Sequence, residues 1–258
     1  MSRIAEAFAG GKAFIPFLTC GDPDLETTGK LVRAMQENGA DLIELGIPFS
    51  DPTAEGPVIQ EANNRALSGG VTTEKIFAFV RELRRDVTVP MVFMTYANVV
   101  FSYGTEAFAA RCAEVGMDGL ILPDVPFEEK GEFDSVCRRY GLDLISLIAP
   151  TSENRIARIA REARGFVYVV SSLGVTGVRG RITTDIGAMT ALVRAHTDAP
   201  CAVGFGISTP EQAAAMARLS DGAIVGSAIV KLAAQYGRNA APAVGEYVRR
   251  MADAVHGA

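Results

Sequence analysis

The chain has 258 residues, 48% of them hydrophobic and 21% charged, with a formal net charge of −5. Those proportions exclude a disordered or low-complexity protein, and the length suits one large α/β domain better than a small stapled one. The mildly acidic balance argues against nucleic-acid binding, which needs a basic face.

In chain order, a short helix over Arg3–Phe8 precedes a first apolar run at Ala13–Leu18. A helical pattern over Leu25–Asn38 leads to a second run, Asp41–Leu45, and then to helices over Pro57–Ser68 and Thr73–Arg85. The third run, Met91–Tyr96, lies in the uncharged stretch from Val87 to Thr105, where Pro90, Asn98, Ser102 and Gly104 predict a buried strand and a polar loop rather than a membrane span. Helices over Thr105–Val115, Glu128–Tyr140, Glu153–Ala163, Thr184–His196 and Pro210–Ala217 alternate with runs at Gly119–Leu122, Asp143–Ile148, Phe166–Ser171, Cys201–Phe205 and Ala223–Val225. Helices over Ser227–Gln235 and Pro242–Val255 complete the series.

The eight runs are continuously apolar rather than alternating, as parallel strands covered on both faces are. Eight β-then-α units without a linker or a shift in composition predict a single-domain (β/α)8 TIM barrel over residues 1–258, with an extra N-terminal helix. An open, doubly wound sheet would call for a dinucleotide fingerprint after the first strand, and Gly21-Asp22-Pro23 stands there instead. Glu6 and Lys12 interrupt what would be the apolar core of a signal peptide, so a cytoplasmic location is expected.

Four widely spaced cysteines, Cys20, Cys112, Cys137 and Cys201, read as small buried side chains of a reducing compartment. His196 and His256 are the only histidines, which deprives triad chemistry and His-ligated metals of their main reagent. Proton transfer then falls to carboxylates, Tyr or Lys.

In a barrel of this kind the chemistry sits at the C-terminal ends of the strands. Glu44 lies inside the second run between Leu42-Ile43 and Leu45-Gly46, so its side chain should enter the barrel, where burial lifts its pKa toward neutrality. The competing reading is a buried Glu held by hydrogen bonds for structural reasons. In the loop Pro48–Pro57, Asp51 or Glu55 could reach the mouth, or form a turn and a solvated charge. Asp124 could meet substrate or simply start a helix, and Tyr168 is either a site phenol or a core aromatic. Gly204-Phe205-Gly206 and Gly226-Ser227 fall after strands 7 and 8, the recurrent phosphate position of the fold. The glycine-rich sixth loop, 171–181, resembles a lid and could add Gly177 to that position. Phe17, Phe93, Phe127 and Phe205 could line a cavity for a flat ring.

Seven stretches together resemble the tryptophan synthase alpha chain family: Ile15–Pro23, Glu44–Pro52, Tyr96-Ala97-Asn98, Pro123–Pro126, Gly174–Gly177, Gly204–Ser208 and Gly226-Ser227-Ala228. They keep their order over nearly the whole chain, and Glu44–Pro52 is the most specific of them. The resemblance implies retro-aldol cleavage of indole-3-glycerol phosphate to indole and glyceraldehyde 3-phosphate, with no cofactor or metal in this chain. It implies that Glu44 is the acid/base, that Glu55 takes the indole N–H proton or stabilises the intermediate, and that Tyr168 lies beside the ring. Phe17, Thr19, Tyr96, Asp124, Thr176 and Phe205 would bind substrate, with Gly177, Gly206, Gly226 and Ser227 on its phosphate. The implied partner is a pyridoxal-phosphate-dependent beta chain in an alpha2beta2 assembly, contacted through Asp51–Pro57, Asn98–Phe101, Asp124–Pro126 and the sixth loop. In one place the chain departs from the family: Glu55 stands where an Asp is usual, one methylene longer. Apart from the resemblance, the residues also suit another barrel enzyme acting on a phosphorylated sugar, or a subunit that only activates a partner.

Overall fold

The computed structural model describes residues 2–171, 185–204 and 206–258. Its strands are β1 (Ala13–Thr19), β2 (Ile43–Gly46), β3 (Met91–Met94), β4 (Gly119–Ile121), β5 (Asp143–Leu144), β6 (Ser146–Ile148), β7 (Val167–Val170), β8 (Cys201–Gly204) and β9 (Gly222–Val225). All pair in parallel, in the order β5-β4-β3-β2-β1-β9-β8-β7-β6. The two ends of that order are consecutive in sequence. The expected fifth strand, Asp143–Ile148, is therefore split: β5 pairs with β4, β6 pairs with β7, and the Ile145 N–H between them donates to Leu120 O at 2.9 Å. That split closes the sheet into the expected (β/α)8 barrel.

The helices are α1 (Arg3–Glu6), α2 (Leu25–Glu37), α3 (Pro57–Ser68), α4 (Thr73–Leu83), α5 (Ala97–Tyr103), α6 (Thr105–Glu114), α7 (Gly131–Arg139), α8 (Glu153–Arg161), α9 (Ile186–Arg194), α10 (Pro210–Leu219), α11 (Ser227–Tyr236) and α12 (Ala241–His256). Local chemistry fixes several starts: Asp24 accepts from Thr27 N, Thr72 from Lys75 N, and Thr209 with Gln212 forms a capping box ahead of Pro210. The polar loop expected after the third strand is instead α5. The acceptor of its first N–H, Asp124, lies 27 residues away in sequence, so local pattern gave no sign of it. None of the helices among the described residues is long and apolar enough to cross a membrane.

Period-two alternation sorts the strand side chains. Ala13, Ile15, Leu42, Val92, Phe166, Tyr168, Ala202 and Ile224 form one cluster inside the barrel, whereas Phe14, Ile43, Leu45, Met91, Phe93, Ala223 and Val225 pack outward under the helices. Phe93 therefore belongs to an outer aromatic cluster, 5.8 Å from the Phe77 ring, and not to the mouth. Ile4 of α1, fully buried, joins the inner cluster and plugs the N-terminal end of the barrel. All four cysteines are buried and free, and burial pushes the Cys20 and Cys137 thiols up to about 12.

Candidate functional site

Glu44 falls on the inward parity of β2, level with Phe17 of β1 and Val92 of β3. It is 1% exposed, and its Oε1 has no hydrogen-bond partner among the described residues. A carboxylate stripped of water and left unpaired is costly to ionise, so burial pushes the Glu44 carboxyl up to about 8. At neutral pH it is mostly a neutral acid, able to give a proton and then to take one back.

The cavity it faces is lined by Phe17, Glu44, Glu55, Ile59, Met94, Tyr168, Gly206, Ile207, Ile224, Gly226 and Ser227. Glycines shape its walls. A Cβ on Gly46 would lie 2.7 Å from Phe17 Cζ, so the glycine after Glu44-Leu45 is what lets the Phe17 ring lie across β2. A Cβ on Gly204 would lie 2.5 Å from Tyr168 Oη, so that glycine gives the Tyr168 ring its place. Burial, and next the nearby Glu44, hold the Tyr168 hydroxyl above its usual pKa and thus protonated. Gly206, at φ +80°, turns the chain at the cavity edge in a conformation that a side chain rarely adopts.

The second carboxylate arrives from the loop before α3. Glu55 is buried, 6% exposed, rather than a solvated loop charge. The Tyr96 hydroxyl donates to its Oε2 and in turn accepts from Ala54 N at 2.9 Å. Gln60 Nε2 donates to the Glu55 carbonyl at 2.7 Å. Burial raises the Glu55 pKa; the Tyr96 hydrogen bond pulls it back, and Asp124 raises it further. The phenol of Tyr96, desolvated and facing this carboxylate, is held far above its ordinary range. After β9, α11 starts at Ser227 with Gly226 as its cap residue and no side-chain cap hydrogen bond. A helix N-terminus with a serine hydroxyl in the cavity wall is suited to an anion.

The structure thus gathers Glu44, Glu55, Tyr168, Phe17, Gly206, Gly226 and Ser227 around one space. Other expected residues lie outside this lining. Tyr96 meets the cavity through its hydrogen bond to the lining residue Glu55. Asp124 is exposed, and both its carboxylate oxygens accept from Ala97 N at 3.1 Å, at the start of the unanticipated α5. Thr19 is buried outside the lining, its Oγ1 without a partner among the described residues. Asp51 is exposed and accepts from its neighbour Ser50 Oγ, so it does not reach the mouth. Phe127 lies in a separate groove under Lys130 and Arg158. Thr176, Gly177 and Phe205 lie outside the described residues. Sequence reasoning missed Ile59, Met94, Ile207 and Ile224; of these, Met94 shares the parity of Val92 and could have been counted inward. Among the described residues, no group of three or more His, Cys, Asp or Glu could hold a metal ion.

The family described as tryptophan synthase alpha chain matches residues 5–256. The chain is 48% identical over 255 residues to the tryptophan synthase alpha chain of Lacticaseibacillus casei, covering 99% of this chain and 96% of that one. It is 49% identical over 258 residues to that of Lactiplantibacillus plantarum, covering 100% and 97%. The crystal structure of tryptophan synthase subunit alpha from Legionella pneumophila superposes with a TM-score of 0.90 at 36% identity, covering all of both chains. A chain of the tryptophan synthase complex from Pyrococcus furiosus does so with a TM-score of 0.85 at 35% identity, over 93% of this chain and 98% of that one. With the buried acid, the glycine-shaped cavity and a match from end to end, the chain belongs to the tryptophan synthase alpha chain family.

Proposed function

We propose that this chain cleaves indole-3-glycerol phosphate to indole and glyceraldehyde 3-phosphate by a retro-aldol reaction, within tryptophan biosynthesis. The observation that carries the reading is the Glu44 carboxyl: buried, its Oε1 without a partner among the described residues, facing a mostly apolar cavity and mostly neutral at pH 7. Neutral Glu44 donates its proton to the indole ring carbon that bears the side chain, while the ring N–H proton passes to Glu55. The Glu44 carboxylate then accepts the proton of the hydroxyl next to the ring. The carbon–carbon bond breaks toward the ring, the new carbonyl forms on the glycerol fragment, and Glu55 returns its proton to nitrogen. Atoms balance without a co-reactant, and Glu44 ends neutral again.

Phe17, Met94, Ile59 and Ile224 suit the flat apolar ring, and Tyr168 stands beside it. Gly206, Gly226 and Ser227 with the α11 N-terminus suit the phosphate. Tyr96, by donating to Glu55, favours the carboxylate over the acid and so keeps it able to accept a proton. The partner in this reading is a pyridoxal-phosphate-dependent beta chain in an alpha2beta2 assembly that takes over the indole, and the cofactor belongs to that partner. The test is to incubate the purified chain, alone and with a beta chain, with indole-3-glycerol phosphate and to measure indole. Release of indole that Glu44→Gln abolishes supports the reading; no release with the partner present refutes it.

A further inference from the structure

Glu55 sits on a loop, yet its job demands a fixed distance from Glu44 on a strand. The loop after β1 and helix α3 supply the tie. Arg65, on the third turn of α3, forks onto Asp22 in the β1–α2 loop: Nε to Oδ1 and Nη2 to Oδ2, both 2.8 Å. Asp22 is 4% exposed, so its carboxylate has little water to replace this partner. A second contact lies beside it: a Cβ on Gly21 would lie 2.3 Å from Val71 Cγ2, so the segment after α3 packs directly on the same loop. On its other side the loop is bound to α2, where Gly21 N donates to Thr28 Oγ1 at 2.9 Å.

Toward its N-terminus, the same helix α3 controls the second carboxylate. Gln60 donates to the Glu55 carbonyl, and Ile59 forms cavity wall. β1, which leads into the Asp22 loop, carries Phe17 in register with Glu44. We propose that the Asp22–Arg65 fork is a positioning pair for the reaction, fixing α3, and through Gln60 the Glu55 carboxylate, against the two strands that hold Phe17 and Glu44. Neither residue touches the cavity, so neither is catalytic. The inference rests on the reading that Glu44 and Glu55 share the proton transfers. A planar guanidinium is needed because two parallel bonds fix direction as well as distance, whereas an ammonium at the same place fixes distance alone.

The test compares Arg65→Ala, Arg65→Lys and Asp22→Asn with the parent chain, each checked for a cooperative thermal transition, by steady-state indole release from indole-3-glycerol phosphate. Arg65→Ala is expected to lower kcat by about 10- to 100-fold, the scale of an ångström of misplacement, with KM changed by no more than about twofold. Arg65→Lys should recover only part of that loss, and Asp22→Asn should match Arg65→Ala. The decisive arm repeats Arg65→Ala in a Glu55→Ala background, where it should cost no further kcat, because the group it positions is gone. A folded Arg65→Ala with normal kcat, or an equal loss in both backgrounds, overturns the positioning role. If Arg65→Ala does not fold, Arg65→Lys and Asp22→Asn make the same two-background comparison. Full turnover in Glu44→Gln would instead overturn the functional reading and this inference with it, whereas an inactive Glu44→Gln beside a normal Arg65→Ala overturns the inference alone.

Discussion

The carboxylates where the strands begin and Glu44 near the other end of the barrel are treated in opposite ways. At the end where the strands begin, Asp41 accepts from Phe14 N at 2.7 Å, Asp118 from Met91 N at 2.8 Å and Asp221 from Cys201 N at 2.9 Å. Each stands just before one strand and caps the first amides of another, and each also has a basic partner: His256, Arg84 and Arg194 respectively. Burial pushes the Asp221 carboxyl up, but the Cys201 N–H and Arg194 outweigh it and hold it below the usual range. Asp143 is the exception there, with Oδ2 lacking a partner among the described residues. At the other end burial acts on Glu44 with no hydrogen bond or cation to oppose it among the described residues, and the carboxyl rises to about 8. Burial alone does not make an acid useful. What separates a strut from a proton donor is whether donors are there to satisfy it once water is gone.

Four experiments break or sharpen that contrast, in order of expected effect. Glu44→Gln should lower indole release by about a thousandfold or more, the scale of a lost general acid and base, with the fold intact by circular dichroism. Asp118→Ala, at the opposite end, should lower stability by about 3 kcal/mol in chemical denaturation, because Arg84, with a side chain only 12% exposed, loses its charge partner. Its kcat per folded molecule should not change; a large loss would mean the two ends are not separate in function. Third, Glu55→Ala should reduce kcat by about a hundredfold, whereas Glu55→Asp should stay within about tenfold, since the carboxylate survives on a shorter stem. An Ala variant with the parental rate would remove Glu55 from the chemistry.

The fourth concerns stability against pH. The folded Glu44 carboxyl keeps its proton up to about 8, against an ordinary value of 4.5. Between those values the unfolded chain binds fewer protons than the folded one, so the stability contributed by this group is fully present below about 4.5 and lost as pH rises through about 8. Glu44→Gln cannot ionise, so its Tm should exceed that of the parent at pH 9, by a free energy on the order of a few kcal/mol. The gap should close toward pH 4.5. A constant gap across that range would mean that Glu44 is already ionised in the folded chain at neutral pH.

Much of this was open to reading in the sequence, and the parts that were not share a cause. The strand runs were visible because parallel strands buried on both faces must be apolar throughout, and helix starts at Pro57, Thr73 and Pro210 because caps and N-terminal prolines act within a few residues. Glu44 stood out because a charge in such a run demands a reason. The split of the fifth strand was hidden, since it follows from barrel closure and not from Asp143–Ile148 themselves. Helix α5 was hidden because Asp124, 27 residues on, accepts from its first N–H. That Tyr96 donates to Glu55 was hidden too, because the two loops that bring phenol and carboxylate together have no local signature of the meeting.

By itself the sequence determined the eight repeats, their parallel pairing and the presence of an ionisable group among apolar neighbours, because periodicity and burial act over a few residues. Only the tertiary structure decided which carboxylate is satisfied and which is left without donors, that Gly46 and Gly204 are glycines for the sake of Phe17 and Tyr168, and that Arg65 reaches Asp22. Those outcomes depend on which backbones approach within a few ångströms, and closing the barrel is what brings such distant segments together.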